Sequence, residues 1–187
     1  MTGQQSTPRT TLMDKALLYL FSFDVEVNMN RQDIGFVPGG VRINVSAREN
    51  LSRVYQIMRD RTVPGLGVKT VSGSLMMGGD WVYWREDDVE FSQVRLVIKT
   101  DDGETIHGSY PVVTSLGPGG FRRIVSGRGK IGSEDAPVDF PVMTTPRFQA
   151  ANPVYSWIND LQCVGFGMVE IIKSEFRRIT YDIYAIT

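Results

Sequence analysis

At 187 residues, with 42% hydrophobic and 10% aromatic content, the chain suffices for one domain with a sizeable core. Its 20 basic and 21 acidic side chains leave a formal charge of −1, which gives no field to attract nucleic acid or an acidic membrane. The single cysteine, Cys163, rules out an internal disulfide, and the single histidine, His107, leaves too few soft ligands for a zinc site.

Residues 1–14 are polar and carry no alternating pattern, so they are expected to be a flexible segment ahead of one β-barrel domain spanning residues 15–187. No basic-then-apolar leader is visible and the run Ala16–Phe21 is too short to span a bilayer, so a cytoplasmic location is expected. Ala16–Val27 alternates as a strand with one buried face. A polar turn is expected next, then the turn signal Pro38-Gly39-Gly40 and a strand from Val41 to Val45. Over Ser46–Asp60 the period changes. Ser46 and Glu49 suit a capping box, and Leu51, Val54, Tyr55 and Met58 recur at helical spacing, so this stretch is expected to be a helix ended by Pro64-Gly65.

Leu66–Met77 and Asp80–Trp84 read as strands separated by Gly78-Gly79, followed by a turn at Asp87-Asp88. Val89–Lys99 is a long strand with Val94, Leu96 and Ile98 on one face and Gln93, Arg95 and Val97 on the other. Asp102-Gly103 marks a hairpin returning through Glu104–Val113. The glycine-rich stretch Gly117–Asp139 lacks the Gly-Lys-Ser/Thr ending of a phosphate cradle and reads as a surface loop with one helical turn near Phe121–Val125. Phe140–Met143 and Cys163–Ile172 are strands flanking Thr144–Gly165. There Asn152 and Pro153 start a short helix whose Tyr155, Ile158 and Leu161 plug one end of the sheet. Arg177–Ile186 is the last strand. Many short antiparallel strands and one or two short helices predict an all-β fold, a closed barrel of roughly eight or more strands, because closure removes exposed edges. A sandwich is the alternative.

Several motifs, in order, carry a family likeness: Leu20-Phe21, Pro38-Gly39-Gly40-Val41-Arg42, Gly78-Gly79-Asp80-Trp81, Arg95 followed by Thr100-Asp101-Asp102-Gly103 and Ile106, Pro146-Arg147-Phe148, and Asn152-Pro153-Val154-Tyr155-Ser156-Trp157-Ile158-Asn159. With these the chain resembles the DUF3237 family of small β-barrel proteins. The resemblance implies a barrel similar to the allene oxide cyclase and dirigent type, whose relatives steer the cyclisation or coupling of apolar intermediates. It also implies a link to fungal natural-product steps of the hetero-Diels–Alder kind. The chain departs from the family where Val142-Met143-Thr144 replaces an aromatic-Arg-Thr, where Gln149 replaces a Glu, and in the longer connection Ser46–Asp60. The first two changes imply a more apolar ligand.

No nucleophile–base set and no cofactor cradle is visible, so neither a hydrolase nor a redox enzyme is indicated, and no cofactor or metal is expected. A ring closure needs less, because holding two reactive ends in contact can supply roughly 7–11 kcal/mol of the barrier. The expected function is a cyclase or Diels–Alderase-like enzyme of natural-product biosynthesis acting on an apolar small molecule, the chain being a homodimer without nucleic-acid or membrane partners. Arg95, Tyr83 and Tyr155 are the candidate catalytic groups, with Arg42, Trp81, Met143, Phe148 and Trp157 against the substrate. An inward Arg42 or Arg95 would need a carboxylate partner, for which Asp24 and Asp80 are available. The alternatives are a non-catalytic carrier of an apolar metabolite and a purely structural barrel, the latter favoured if no pocket exceeds roughly 300 Å³.

Overall fold

The computed structural model describes residues 17–47, 52–58, 70–126, 138–172 and 175–186. Among them the chain forms ten strands: β1 (Leu17–Val37), β2 (Gly40–Ala47), β3 (Arg53–Met58), β4 (Thr70–Arg85), β5 (Val89–Thr100), β6 (Thr105–Ser115), β7 (Val138–Thr144), β8 (Arg147–Ala150), β9 (Cys163–Ile172) and β10 (Glu175–Ile186). One short helix, α1 (Gly120–Ser126), follows β6, and a 3-10 turn at Ser156–Asp160 precedes β9. Every pairing is antiparallel, and the ring β1-β2-β4-β5-β6-β7-β9-β10 closes where β10 pairs with β1. β3 shares the lane of β2 between β1 and β4, and β8 shares the lane of β7 beside β6. The predicted closed barrel is therefore an eight-lane ring carrying two additional strands.

Strand alternation sorts the side chains. Phe21, Phe23 and Val25 of β1, Leu96 and Ile98 of β5, Ile106, Tyr110 and Val112 of β6, and Tyr181 and Ile183 of β10 are buried at every second position. Their rings interlock: Phe23 lies 4.9 Å from Tyr181 and Phe21 lies 5.0 Å from Phe148, centroid to centroid. A second core cluster of Val41, Ile43, Val82 and Trp84 packs against Phe121, Ile124 and Val125 of α1. Asp88 fixes the start of that helix, its carboxylate accepting the Gly119 and Phe121 amides at 2.7 and 2.9 Å. These two backbone hydrogen bonds hold its pKa below the ordinary value.

The structure departs from the sequence expectations in three places. Ser46 and Ala47 end β2 and Arg53–Met58 is strand β3, so the described part of Ser46–Asp60 is extended and not helical; residues 48–51 and 59–60 lie outside the described residues. A register shift in the β3–β4 pairing falls between the buried Val54 and Ile57. Val54 and Tyr55, which the helical reading put on one face, lie on opposite faces of the strand, Val54 buried and Tyr55 exposed. The polar turn expected after Val27 is likewise a continuation of β1 to Val37, with register shifts at Asn28/Gln32 and Asp33/Gly35. Leu66–Met77 and Asp80–Trp84 are one continuous strand within the described residues, β4, with a register shift at Leu75/Met77. Residues 1–14, Pro64-Gly65 and the centre of the glycine-rich stretch, 127–137, lie outside the described residues. Among the described residues, no helix is long and apolar enough to cross a membrane.

Candidate functional site

Between the two core clusters the barrel encloses a cavity. Its walls are mostly aliphatic, among them Val25, Val82, Val94, Val112 and Val142, and into them are set Asp80, Glu90, Tyr110 and Tyr181. The free space within it is about 70 Å³, room for a small ligand or the reacting end of a larger one.

The two acids reach the interior by strand phase. Asp80 precedes the buried Val82 and Trp84 by two and four residues along β4, and Glu90 stands in phase with Ser92, Val94 and Leu96 on β5. Glu90 is clamped. The Trp84 Nε1–H donates to its Oε2 at 2.9 Å and the Ser92 hydroxyl donates to its Oε1 at 3.2 Å. Burial raises its pKa while these two donors oppose the rise. Asp80 is less provided for, because its Oδ1 is buried without a hydrogen-bond partner. Burial, with the Glu90 charge adding to it and the Ser92 hydroxyl opposing, raises the Asp80 carboxyl from 3.8 to about 7. Tyr110 and Tyr181 sit edge to face at 5.8 Å, and burial raises both phenols well above their ordinary value. Both therefore stay neutral hydrogen-bond donors. Near pH 7 the cavity thus holds a carboxyl able to give or take a proton, a second carboxyl fixed by two donors, and two phenols in an aliphatic wall.

None of the eight site residues expected from the sequence lines this cavity. Arg95 and Trp81 meet on the outer face, the guanidinium 5.8 Å from the indole centroid, and Arg42 stacks 4.5 Å over the Tyr83 ring. The Tyr83 hydroxyl donates to the Pro38 carbonyl at 2.9 Å. Asp24 pairs with Arg178, its Oδ1 accepting from Nε at 2.6 Å, so neither acid weighed as a partner for Arg42 or Arg95 serves as one. Phe148 and Tyr155 are buried at the opposite end from α1, where Tyr155 donates to the Asp102 carboxylate at 2.9 and 2.8 Å. The plug expected there exists as a 3-10 turn. Tyr155 and Ile158 are buried, and Asn159 ties the turn to β8 by accepting from the Ala150 amide at 2.8 Å and donating to its carbonyl at 3.0 Å. Trp157 packs against this core with its Nε1 buried and unpartnered. Met143 is 62% exposed on the outside, directly between Val113 of β6 and Phe166 of β9.

The fold and the chamber define the class: a closed antiparallel β-barrel with two carboxyl side chains turned into its interior. Within that class the chain belongs to the DUF3237 family, described as proteins of unknown function, whose profile matches residues 17–186. No curated protein matches the chain. Among solved structures it is similar to a conserved protein of unknown function from Rhodopseudomonas palustris, with 19% identity over 97% of this chain and 100% of that one and a TM-score of 0.68. A beta-barrel like protein from Acinetobacter baumannii has 20% identity, coverage of 98% and 100%, and a TM-score of 0.64. A structure described as an enzyme from Penicillium herquei has 13% identity, coverage of 100% of both chains, and a TM-score of 0.55.

Proposed function

We propose that the barrel is a cyclase that closes a ring in a small apolar intermediate by proton transfer through Asp80. The observation that carries the reading is a buried carboxyl oxygen without a partner in an otherwise aliphatic cavity. Protonated Asp80 gives its proton to one end of a substrate C=C bond, whose π pair becomes the new C–H bond and leaves a cationic carbon. A hydroxyl of the same substrate attacks that carbon with a lone pair, and its proton returns to the Asp80 carboxylate. Product and substrate are isomers, so no co-reactant is consumed. Glu90 stabilises the transient positive charge, and the neutral Tyr110 and Tyr181 hydroxyls orient substrate oxygen. The same protonated Asp80 would polarise a carbonyl in a Diels–Alderase-like closure. The Penicillium herquei structure, described as an enzyme, supports a catalytic reading of this fold, and the mostly aliphatic wall supports an apolar substrate, such as a terpenoid or polyketide intermediate.

Purified protein is incubated in D2O with unsaturated alcohols and phenols that can cyclise. The expected product is a cyclic ether carrying one new carbon-bound deuterium, formed by wild type and not by a folded Asp80→Asn variant. Identical mixtures with and without protein refute the reading. Saturable binding without turnover would instead identify a carrier. The small free volume, about 70 Å³, is the observation that favours a purely structural barrel; absence of any ligand binding would establish that alternative. We also propose a homodimer joined through the outer row Val113, Met143 and Phe166, which are 60%, 62% and 41% exposed and adjacent across β6, β7 and β9.

A further inference from the structure

We infer that the cavity selects its occupant by charge: it binds small apolar ammonium ions in preference to uncharged isosteres and rejects carboxylates. The inference rests on the reading of this cavity as the reaction site and adds the charge of the species that it stabilises. Among the described residues, the charged side chains in its wall are Asp80 and Glu90, and no lysine, arginine or histidine joins them. Among the described residues, the arginines that adjoin wall residues in sequence, Arg95 and Arg178, are exposed on the outer face, where Arg95 stacks on Trp81 and Arg178 pairs with Asp24. No cation of the described wall therefore neutralises the pair, and an uncompensated buried charge is unfavourable.

The pair is also asymmetric in a way that suits a monocation. Glu90 has both oxygens engaged by Trp84 and Ser92, donors that favour its carboxylate form. The buried Asp80 Oδ1 has no partner, and Asp80 lines the free space. An ammonium ion there would give that oxygen a donor and the pair a counter-charge. The aliphatic wall takes its alkyl group, and Tyr110 and Tyr181 add two hydroxyl-bearing rings to the lining. A ligand carboxylate would instead meet two acids, with only phenol hydroxyls and the Asp80 proton to bind it.

Four titratable groups of the described wall face the occupant: Asp80 on β4, Glu90 on β5, Tyr110 on β6 and Tyr181 on β10. Binding a cation displaces the proton from Asp80, so affinity rises with pH up to about 7 and levels off above it.

Isothermal titration with tert-butylammonium, tert-butanol and pivalate compares one shape in three charge states. At pH 8 the ammonium ion is expected to bind at least tenfold more tightly than the alcohol, with the preference shrinking at pH 6 and pivalate giving no heat. Glu90→Gln, whose amide oxygen can still accept from Trp84 while its N–H donates to the Ser92 hydroxyl, should weaken the preference at least several-fold. Asp80→Asn, should the first variant fail to fold, should remove its pH dependence. Equal affinities for all three probes, or tightest binding of the alcohol, overturn the inference. An ammonium preference without deuterium incorporation refutes the cyclase reading alone. Incorporation without a preference refutes this inference alone.

Discussion

Replacing Asp80 by asparagine should stabilise the barrel at alkaline pH and leave it unchanged in acid. The carboxyl ionises near 3.8 when exposed and near 7 in the folded chain. Between those values the native state binds a proton that the unfolded state has lost. Stability therefore falls as pH rises through this window and is flat above it. At about 1.4 kcal/mol for each pH unit of separation, the full penalty is about 4 kcal/mol. Asparagine cannot ionise and has nearly the same shape, so its amide meets only the smaller desolvation cost of a neutral group. Urea unfolding followed by tryptophan fluorescence at pH 4 and pH 8 is the assay. At pH 8 the variant is expected to be more stable by about 2–4 kcal/mol, or roughly 5–15 °C in Tm, with the denaturant slope unchanged. At pH 4 the two proteins should agree within about 1 kcal/mol. An equal offset at both pH values would show that the folded barrel accommodates the Asp80 anion without strain and would refute the reasoning. Together with lost turnover, the predicted gain would mark Asp80 as a residue kept for activity against stability.

Tyr155→Phe removes the hydroxyl that donates to Asp102 and should cost about 1–3 kcal/mol in urea unfolding while leaving deuterium incorporation intact. Burial pushes the Cys163 thiol up to about 11, so a chromogenic disulfide reagent at pH 8 should label the native protein at least ~100-fold more slowly than the urea-unfolded chain. Fast labelling of the native form would contradict that burial. Met143→Glu places a charge at the centre of the outer apolar row and should give monomers by light scattering at concentrations where the wild type is dimeric. A wild type that is monomeric at every concentration would remove the proposed interface.

Much of the fold is legible in the sequence because period-two alternation is strong where the wall is regular. The β5–β6 hairpin, with Val94, Leu96 and Ile98 facing inward and Asp102-Gly103 at its turn, is an example. Alternation is lost where a bulge interrupts it, as between Val54 and Ile57, which leaves the strand without a clean period-two signal. The site was within reach of the same reasoning. Asp80 alternates with Val82 and Trp84, and Glu90 with Val94 and Leu96, so two acids fall in phase with core residues. Attention to aromatic and cationic side chains passes over this, because Trp81, Tyr83 and Arg95 occupy the opposite phase and stack outside. What alternation cannot supply is the partnering: the clamp from Trp84 and Ser92 onto Glu90, and its absence at the Asp80 Oδ1, appear only in three dimensions.

Asp80, Trp84, Glu90 and Ser92 all belong to the single hairpin β4–β5, in which Trp84 and Glu90 are register partners. A hairpin assembles in about 1–10 μs, whereas sealing the ring requires contacts as distant as Asp24 with Arg178, 154 residues apart. The carboxyls are therefore expected to come together early, while still hydrated, and to lose water as the seam between β1 and β10 zips shut, with proton uptake by Asp80 in that late step. Between about pH 4 and pH 7 the closing seam must either take up a proton or dehydrate an anion, so the refolding rate is expected to fall across this window and level off above it, a dependence visible in stopped-flow refolding and removed by Asp80→Asn.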